Sequence, residues 1–267
     1  MPTNIEVLPL GSGRAFTPFP DNHSNYVLSI QDGRKTLKLL LDCGTTLRNA
    51  LRNANISHKD INAVVFTHGD PDHAGGLVEF AQVCRWAHNH KPILYLKPNQ
   101  MELVENLFST INEPPADYFS MQLYRDEYIK VSGNIAIRHM GMPKGSHGKI
   151  YPNYAIAFEH MSRTGETISR ILFSGDVKNT DQAGLSPMIR DSRTIAFFVD
   201  TFLQSPSNPV HQSLTETIRL YNGRKMAAKV YITHYGEPAS ITPEIQKSLD
   251  LAGFLAVQQR VPIVFGL

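Results

Sequence analysis

Short, nearly continuous apolar runs recur along the whole chain and are separated by glycine, proline and polar residues. Runs that are uniformly apolar, rather than alternating, are typical of strands covered on both faces. Patterns with helical spacing lie between some of them. We predict strands over residues 5–8, 26–30, 37–41, 63–66, 93–96, 135–137, 154–158, 171–173, 195–199 and 230–232. We predict helices over residues 45–55, 74–87, 99–109, 213–221 and 243–258.

Strands outnumber helices and the two are mixed along the chain, which favours layered sheets with helices outside. Glycine and proline are spread evenly and no linker or repeat stands out, so we predict one domain over residues 1–267. Of the 267 residues, 42% are hydrophobic and 19% are charged, as in soluble globular proteins. The formal net charge of +2 is too small to indicate nucleic-acid binding.

Two cysteines, Cys43 and Cys84, cannot form a disulfide framework, and no Cys-x-x-Cys pair is present. The N-terminus lacks the pattern of a secretion signal. No apolar run reaches the roughly 18 residues that a membrane span needs, so we expect no membrane partner. These features predict a cytoplasmic protein.

Several predicted strands are followed, within three residues, by a residue type that binds metal ions. His68 follows the run 63–66, Asp176 follows 171–173 and His234 follows 230–232. Asp42 follows 37–41 in the same way. Side chains at strand ends are attached to a rigid scaffold and can converge at one edge of a sheet.

The densest polar cluster is the segment 68–73, which contains His68, Asp70, Asp72 and His73. Pro71 prevents a helix from continuing through it, so we predict a turn. Imidazole and carboxylate ligands together suit Zn, Mn or Fe. Two histidines and two aspartates within six residues are hard to explain as a plain polar turn, and we interpret them as metal ligands.

At these residues the chain resembles the metallo-β-lactamase superfamily, whose motif is His-x-His-x-Asp-His; here Asp70 stands at the second histidine. Asp42, His147, Asp176 and His234 match the family's remaining motif positions. The resemblance implies an α/β (α+β) fold, a four-layer αββα sandwich of two mixed β-sheets flanked by helices. It also implies a metal-dependent hydrolase with the following metal ligands: His68, Asp70, Asp72, His73, His147, Asp176 and His234.

The resemblance further implies two divalent ions, Zn or Mn, with a metal-bridging hydroxide as nucleophile. One ion would take His68, Asp70 and His147. The other would take Asp72, His73 and His234, with Asp176 bridging and Asp72 counted also as catalytic. Asp70 makes the site less positive and is a harder ligand than histidine, which predicts a preference moved towards Mn²⁺ relative to Zn²⁺. Asp42 would orient ligands.

Within the superfamily the chain is most similar to the ribonuclease Z-like phosphodiesterase branch. His211-Gln212-Ser213 with Glu216 resembles that branch's extra histidine motif, and Asp200-Thr201-Phe202 resembles another of its segments. By this resemblance His211 is a candidate general acid for the leaving alcohol, with Glu216 orienting it. The other interpretation of His211 is a residue at a helix start with a capping role.

The long arm with which ribonuclease Z holds tRNA is usually inserted between the third and fourth motifs. Here only about 29 residues separate His147 from Asp176, as in an ordinary hairpin. This argues against tRNA and favours a small phosphodiester or nucleotide, such as a cyclic nucleotide. The alternatives are a nuclease on longer RNA or DNA, a lactone or thioester hydrolase, and a degenerate, non-catalytic metal-binding protein. A homodimer is suggested only by the general prevalence of dimers.

Overall fold

The structure is a computed structural model that describes residues 4–18, 20–33, 35–143, 152–203, 210–221 and 226–267. The predicted ligand His147 lies outside these residues. The chain forms two compact units. The first contains Met1–Gly11, Ala15–Glu127 and Gln259–Leu267; the second contains Ser12–Arg14 and Tyr128–Gln258. The prediction of one domain over 1–267 stays a prediction.

The first unit contains a seven-stranded mixed sheet with the order β14-β1-β2-β3-β4-β5-β6, numbered along the whole chain. Its strands are β1 (Asn4–Pro9), β2 (Tyr26–Asp32), β3 (Lys35–Leu41), β4 (Ala63–Val65), β5 (Ile93–Leu96), β6 (Ser120–Leu123) and β14 (Ile263–Gly266). Its α-helices are α1 (Leu47–Asn53), α2 (Pro71–Ala74), α3 (Leu77–Gln82) and α4 (Met101–Ser109).

The parallel half of this sheet brings two chain segments to the same edge. β3 pairs with β4 in parallel, with Leu41 opposite Val65. β4 also pairs in parallel with β5, so it is an interior strand. The side chains of β4 are fully buried, as the uniformly apolar run predicts. The residues that follow β3 and β4 therefore leave the sheet side by side.

The second unit contains another seven-stranded mixed sheet, with the order β13-β12-β11-β10-β9-β8-β7. Its strands are β7 (Tyr128–Ser132), β8 (Ile135–Gly141), β9 (Tyr154–Met161), β10 (Thr167–Phe173), β11 (Thr194–Asp200), β12 (Lys229–Thr233) and β13 (Phe254–Ala256). Its α-helices are α5 (Ser186–Arg190), α6 (Leu214–Leu220) and α7 (Pro243–Ala252).

Three aromatic rings align the parallel strands of the second sheet. Phe173 is opposite Phe198 in the register of β10 and β11, and Phe198 is opposite Tyr231 in that of β11 and β12. Their ring centroids are 4.4 Å and 4.8 Å apart, with planes inclined by 13° and 12°. Aromatic cross-strand pairs contribute to sheet stability and register. The carboxyl ends of β10, β11 and β12 are therefore aligned at the same edge of the sheet.

Two mixed sheets with helices are present, as predicted, and every predicted strand is found. β6, β7, β13 and β14 were not predicted. β6 and β7 are partly exposed and have no continuous apolar run, and β13 lies within the predicted helix 243–258. β14 was missed although it contains the apolar run 263–265. The short helix α5 was also not predicted. No helix among the described residues is long and apolar enough to cross a membrane.

Two predicted helices need correction. The helix predicted over 243–258 ends at Ala252, because Gly253 adopts the left-handed conformation with φ of 71° and the chain then enters β13. The helix predicted over 74–87 is divided into α2, α3 and a π-helical turn, Val83–Ala87. Gly75 and Gly76, between α2 and α3, mark the first division.

Candidate functional site

The motif segment of the first unit is a turn followed by a single helical turn. Thr67 and His68 come after β4, and Asp70 is extended, with φ of −66° and ψ of 151°. Pro71 starts α2, where its fixed φ suits the first helical position and its missing N–H is not needed. Asp72 and His73 are then carried on α2, so the predicted turn is correct but its second half is helical.

The four predicted ligands of this segment lie together. The rings of His68 and His73 have centroids 4.1 Å apart. Nε2 of His68 is 3.6 Å from Oδ2 of Asp70, and Nε2 of His73 is 3.5 Å from Oδ2 of Asp72. His68, Asp72 and His73 are buried, whereas 46% of the Asp70 side chain is exposed. The four side chains place imidazole nitrogens beside carboxylate oxygens, which is the donor set of a transition-metal site.

Asp42 fixes the orientation of this cluster. It directly follows β3 and has a positive φ of 64°, a conformation that aspartate tolerates better than most residues. Its Oδ2 is 2.9 Å from Nδ1 of His73, and its Oδ1 accepts a hydrogen bond of 2.7 Å from the Thr67 amide. A carboxylate on one ring nitrogen leaves the other nitrogen, Nε2, to bind an ion. The orienting contact expected of Asp42 is therefore present.

Asn25 holds the same cluster in place, although no sequence pattern marks it as a site residue. Its Oδ1 accepts a 2.6 Å hydrogen bond from the Gly44 amide, and its Nδ2 donates a 3.3 Å bond to the carbonyl of Asp72. A Cβ atom at Gly44 would be 2.0 Å from that carbonyl oxygen. Position 44 therefore requires glycine. Nothing in the sequence around Asn25 distinguishes it from an ordinary loop asparagine.

The second unit has its own cluster at the carboxyl edge of its parallel strands. Asp176 lies three residues beyond β10, Asp200 is the last residue of β11, and His234 is the first residue after β12. Nε2 of His234 is 3.5 Å from Oδ1 of Asp176, and its Nδ1 is 3.4 Å from Oδ1 of Asp200. All three side chains are buried. The predicted ligands Asp176 and His234 are thus adjacent.

His211 joins this cluster from a loop. Its neighbour Gln212 donates a backbone hydrogen bond of 2.8 Å to the Val177 carbonyl, which holds the loop against the segment that carries Asp176. Nδ1 of His211 is 2.8 Å from Oδ2 of Asp200 and 3.8 Å from Oδ2 of Asp176. The side chain is 12% exposed. The capping residue of α6 is Ser213, so His211 does not have the capping role.

The surroundings of Asp200 determine its charge. Burial acts to raise its pKa, but the positive charge of His211, and the hydrogen bonds from His211 and His234, act in the opposite direction. The net result is a pKa below the ordinary value. Asp200 also accepts a 3.0 Å hydrogen bond from the Val177 amide. A buried carboxylate with these partners is held ionised.

Glu216, the residue predicted to orient His211, makes other contacts, and the carboxylate at Nδ1 of His211 is that of Asp200. Oε1 of Glu216 accepts a 2.6 Å hydrogen bond from Asn179 and is 3.5 Å from Arg219, three residues further along α6. His211 lies in the loop before α6, whereas Glu216 lies in the first turn of that helix. The sequence pattern could have identified Asp200, because it directly follows the apolar run 195–199, as Asp42 follows 37–41.

The chemistry of the residues fits divalent metal ions. In the second unit, each of four residues offers a donor atom, and these atoms lie within 4.8 Å of one another; they are Asp176, Asp200, His211 and His234. The first unit offers the two histidines and two aspartates of the segment 68–73. Buried carboxylates of this density require positive partners, and imidazole with carboxylate suits Zn²⁺ or Mn²⁺.

Solved structures with this arrangement of strands are known. The metallo-β-lactamase fold protein YhfI from Bacillus subtilis has a TM-score of 0.72 with 14% sequence identity, over 98% of this chain and 98% of that one. The predicted metallo-β-lactamase fold is thereby confirmed. A ribonuclease Z from Treponema denticola is 32% identical over 103 residues, which are 38% of this chain and 32% of the relative. This agrees with the predicted ribonuclease Z-like branch.

The Anti-Pycsar protein Apyc1 of Paenibacillus harenae is 29% identical over 230 residues, which are 85% of this chain and 88% of that protein. The family model for Anti-Pycsar protein Apyc1 matches residues 5–260. The match includes both clusters of histidines and aspartates. The chain therefore belongs to the Anti-Pycsar protein Apyc1 family.

Proposed function

We propose that this chain is a metal-dependent phosphodiesterase that hydrolyses a small nucleotide phosphodiester, such as a cyclic nucleotide. The observation that carries the proposal is His211, which is held 2.8 Å from Asp200 beside Asp176 and His234. When water attacks the phosphorus of a phosphodiester, the P–O bond to one alcohol breaks, and the departing alkoxide needs a proton. A histidine fixed beside the candidate metal ligands can donate that proton.

The metal ions, Zn or Mn, would be held by the imidazole and carboxylate groups of each cluster, with His68, Asp70, Asp72 and His73 in the first unit and Asp176 and His234 in the second. When bound, such ions neutralise the phosphate charge and lower the pKa of water. Asp42 keeps Nδ1 of His73 engaged, so that Nε2 is directed to the ion.

The proton for the leaving oxygen comes from His211. Since Nδ1 is bound to Asp200, Nε2 is the ring nitrogen that can transfer a proton. Asp200 stays ionised and stabilises the ring in this orientation. A lactone or thioester hydrolase has less need of such a group, which is why we favour a phosphodiester.

The small size of the substrate is supported by the connection between β9 and β10. The two strands form an antiparallel hairpin from Tyr154 to Phe173, joined by the short turn at residues 162–166. No arm is inserted at this point of the chain. A small phosphodiester needs no such arm, whereas a structured RNA does.

A panel of substrates tests the proposal. The chain is assayed with Mn²⁺ and with Zn²⁺ on cyclic nucleotides, bis(p-nitrophenyl) phosphate, RNA and a lactone. We expect turnover of cyclic nucleotides and of bis(p-nitrophenyl) phosphate that disappears with a chelator. Activity on RNA with none on cyclic nucleotides would support a nuclease instead. Activity on the lactone alone would overturn the phosphodiesterase.

A further inference from the structure

The second unit contains a cavity of about 270 Å³ that none of the predicted site residues lines. Its walls come from three places in the chain, and they are Arg14, Phe202, Leu203, Tyr235, Ser240, Thr242 and Ile245. Ligand pockets usually have volumes of about 300–1,000 Å³. The cavity is therefore of a size for one ring of a ligand and not for a polymer.

The cavity is next to the His211 cluster along the chain and in the fold. Phe202 is two residues beyond Asp200, and Tyr235 directly follows His234. Since consecutive Cα atoms are about 3.8 Å apart, these walls begin within about 8 Å of the cluster's backbone. The amide of Phe202 donates a 2.7 Å hydrogen bond to the carbonyl of Gln212, the neighbour of His211. The cavity and the cluster therefore lie on adjoining segments of the chain.

The walls are fixed before any ligand arrives. The hydroxyl of Tyr235 donates a 2.6 Å hydrogen bond to the carbonyl of Val257, which holds its ring. Ser12 binds Gly236 twice: the Gly236 amide donates to the Ser12 carbonyl at 3.2 Å, and the Ser12 hydroxyl donates to the Gly236 carbonyl at 3.3 Å. These bonds hold the segment that carries Arg14. Preformed walls reduce the entropy lost on binding.

The chemistry of the walls suits a flat, polar ring. The guanidinium carbon of Arg14 is 4.9 Å from the ring centroid of Phe202, a cation–π arrangement that fixes the plane of the guanidinium. Leu203 and Ile245 add apolar surface, and Ser240 and Thr242 add hydroxyls. Flat heterocycles are bound in proteins by aromatic rings and guanidinium planes together with hydrogen bonds to their edges.

A second phosphate is a less suitable occupant. Thr242 caps α7, but its hydroxyl already accepts a hydrogen bond from the Ile245 amide. Glu244 lies in the first turn of the same helix and has a lowered pKa, owing first to hydrogen bonding from its own backbone and from Thr242. A carboxylate at this helix end repels anions.

We infer that this cavity, with Arg14 over Phe202, binds the base of a nucleotide whose phosphate lies at the His211 cluster. The inference rests on the proposed function, because the base belongs to the proposed substrate. It makes the cavity a specificity site. Substrates without a base would lose contacts there, and polymers would not fit.

The test is a binding measurement that needs no turnover. Isothermal titration of the full chain compares a nucleoside 5′-monophosphate with ribose 5-phosphate and inorganic phosphate. Stacking of a base on an aromatic side chain corresponds to about 5–100-fold in affinity. We expect the nucleoside monophosphate to bind more tightly than ribose 5-phosphate by a factor in this range. Phe202→Ala and Arg14→Ala should remove most of that difference.

Two further variants make the test specific. Arg14→Lys keeps the charge but loses the planar guanidinium, so it should lose base preference while retaining affinity for ribose 5-phosphate. Arg163→Ala, an exposed arginine in the turn after β9, is the matched control and should keep the preference. Circular dichroism of each variant reports whether it is folded.

The inference is overturned if the wild-type chain binds nucleoside monophosphate and ribose 5-phosphate equally, or if folded Phe202 and Arg14 variants keep the preference. These outcomes differ from failure of the proposed function. Base preference without phosphodiesterase activity would support the assignment of the cavity and contradict the proposed function. Phosphodiesterase activity without base preference would support the proposed function and contradict the assignment of the cavity.

Discussion

Nδ1 of His211 lies 2.8 Å from Oδ2 of Asp200, and this contact connects a loop residue to the end of an interior strand. Asp200 is in turn fixed by the amide of Val177. The pair makes His211 a preorganised group and not a mobile loop side chain. Its role and that of its partner can be separated by substitution.

His211→Ala is expected to lower kcat by about 10²–10⁴-fold, the usual contribution of a general acid. Bound metal should be unchanged if the residue only transfers a proton. Elemental analysis beside steady-state kinetics checks this. Loss of metal together with activity would instead make His211 a ligand, a role that its place within 4.8 Å of three other donors also permits.

Asp200→Asn is expected to lower kcat by about 10–100-fold, since carboxylates behind a functional histidine typically contribute this much. Glu216→Gln is the informative comparison, because Glu216 contacts Asn179 and Arg219. We expect Glu216→Gln to lower kcat less than Asp200→Asn does. An equal loss of kcat in the two variants would indicate that Glu216, and not Asp200 alone, orients His211.

The brace formed by Asn25 predicts a loss of both stability and metal affinity. Asn25→Ala leaves the buried Gly44 amide and the Asp72 carbonyl without their partner, at a cost of about 1–3 kcal/mol. Denaturant unfolding and metal titration measure the two effects. Asn53→Ala, in the exposed part of α1, is the control and should change neither. If Asn25→Ala bound metal as tightly as the wild-type chain, Asn25 would not be needed to hold the metal ligands in place.

Gly44→Ala should destabilise the same region by a different route. Its Cβ would be 2.0 Å from the Asp72 carbonyl oxygen, so α2 must move. Overpacking of this kind costs about 1–3 kcal/mol. Gly141→Ala is a matched control, because the nearest atom to its Cβ is 3.6 Å away, an ordinary contact. Thermal unfolding of both variants should show a clear shift only for Gly44→Ala.

The aspartate at position 70 predicts the metal. Oδ2 of Asp70 is 3.6 Å from Nε2 of His68, so it lies where it can share an ion with that histidine. As a harder and charged ligand it favours Mn²⁺ relative to histidine. Elemental analysis of protein purified without added metal should find manganese, and Asp70→His should move occupancy towards zinc. Two zinc ions in the unaltered chain would contradict this.

The sequence predicted the fold and most of the candidate site because both rest on local patterns. Uniform apolar runs such as 63–66 identify interior strands, and the residues just after such a run lie near a sheet edge. His68, Asp176 and His234 were selected by this rule, and they lie two or three residues beyond their runs. Asp200 obeys it as well and was overlooked as a site residue.

Other features depend on distant contacts that no local pattern reports. Asn25 acts through Gly44 and Asp72, far along the chain, and Arg14 reaches its position through Ser12 and Gly236. The edge strand β6 is mostly exposed, so its sequence lacks the apolar run that marks an interior strand.

β4 is flanked by β3 and β5, and β11 by β10 and β12, so each has hydrogen-bonded neighbours on both sides. Opening either strand breaks two ladders at once, and amide exchange there should approach the limit set by global unfolding. The backbone at their carboxyl ends is consequently ordered by the two sheets. A chelator should then strip metal from a chain that keeps its far-ultraviolet dichroism, in contrast to zinc fingers, which unfold without it.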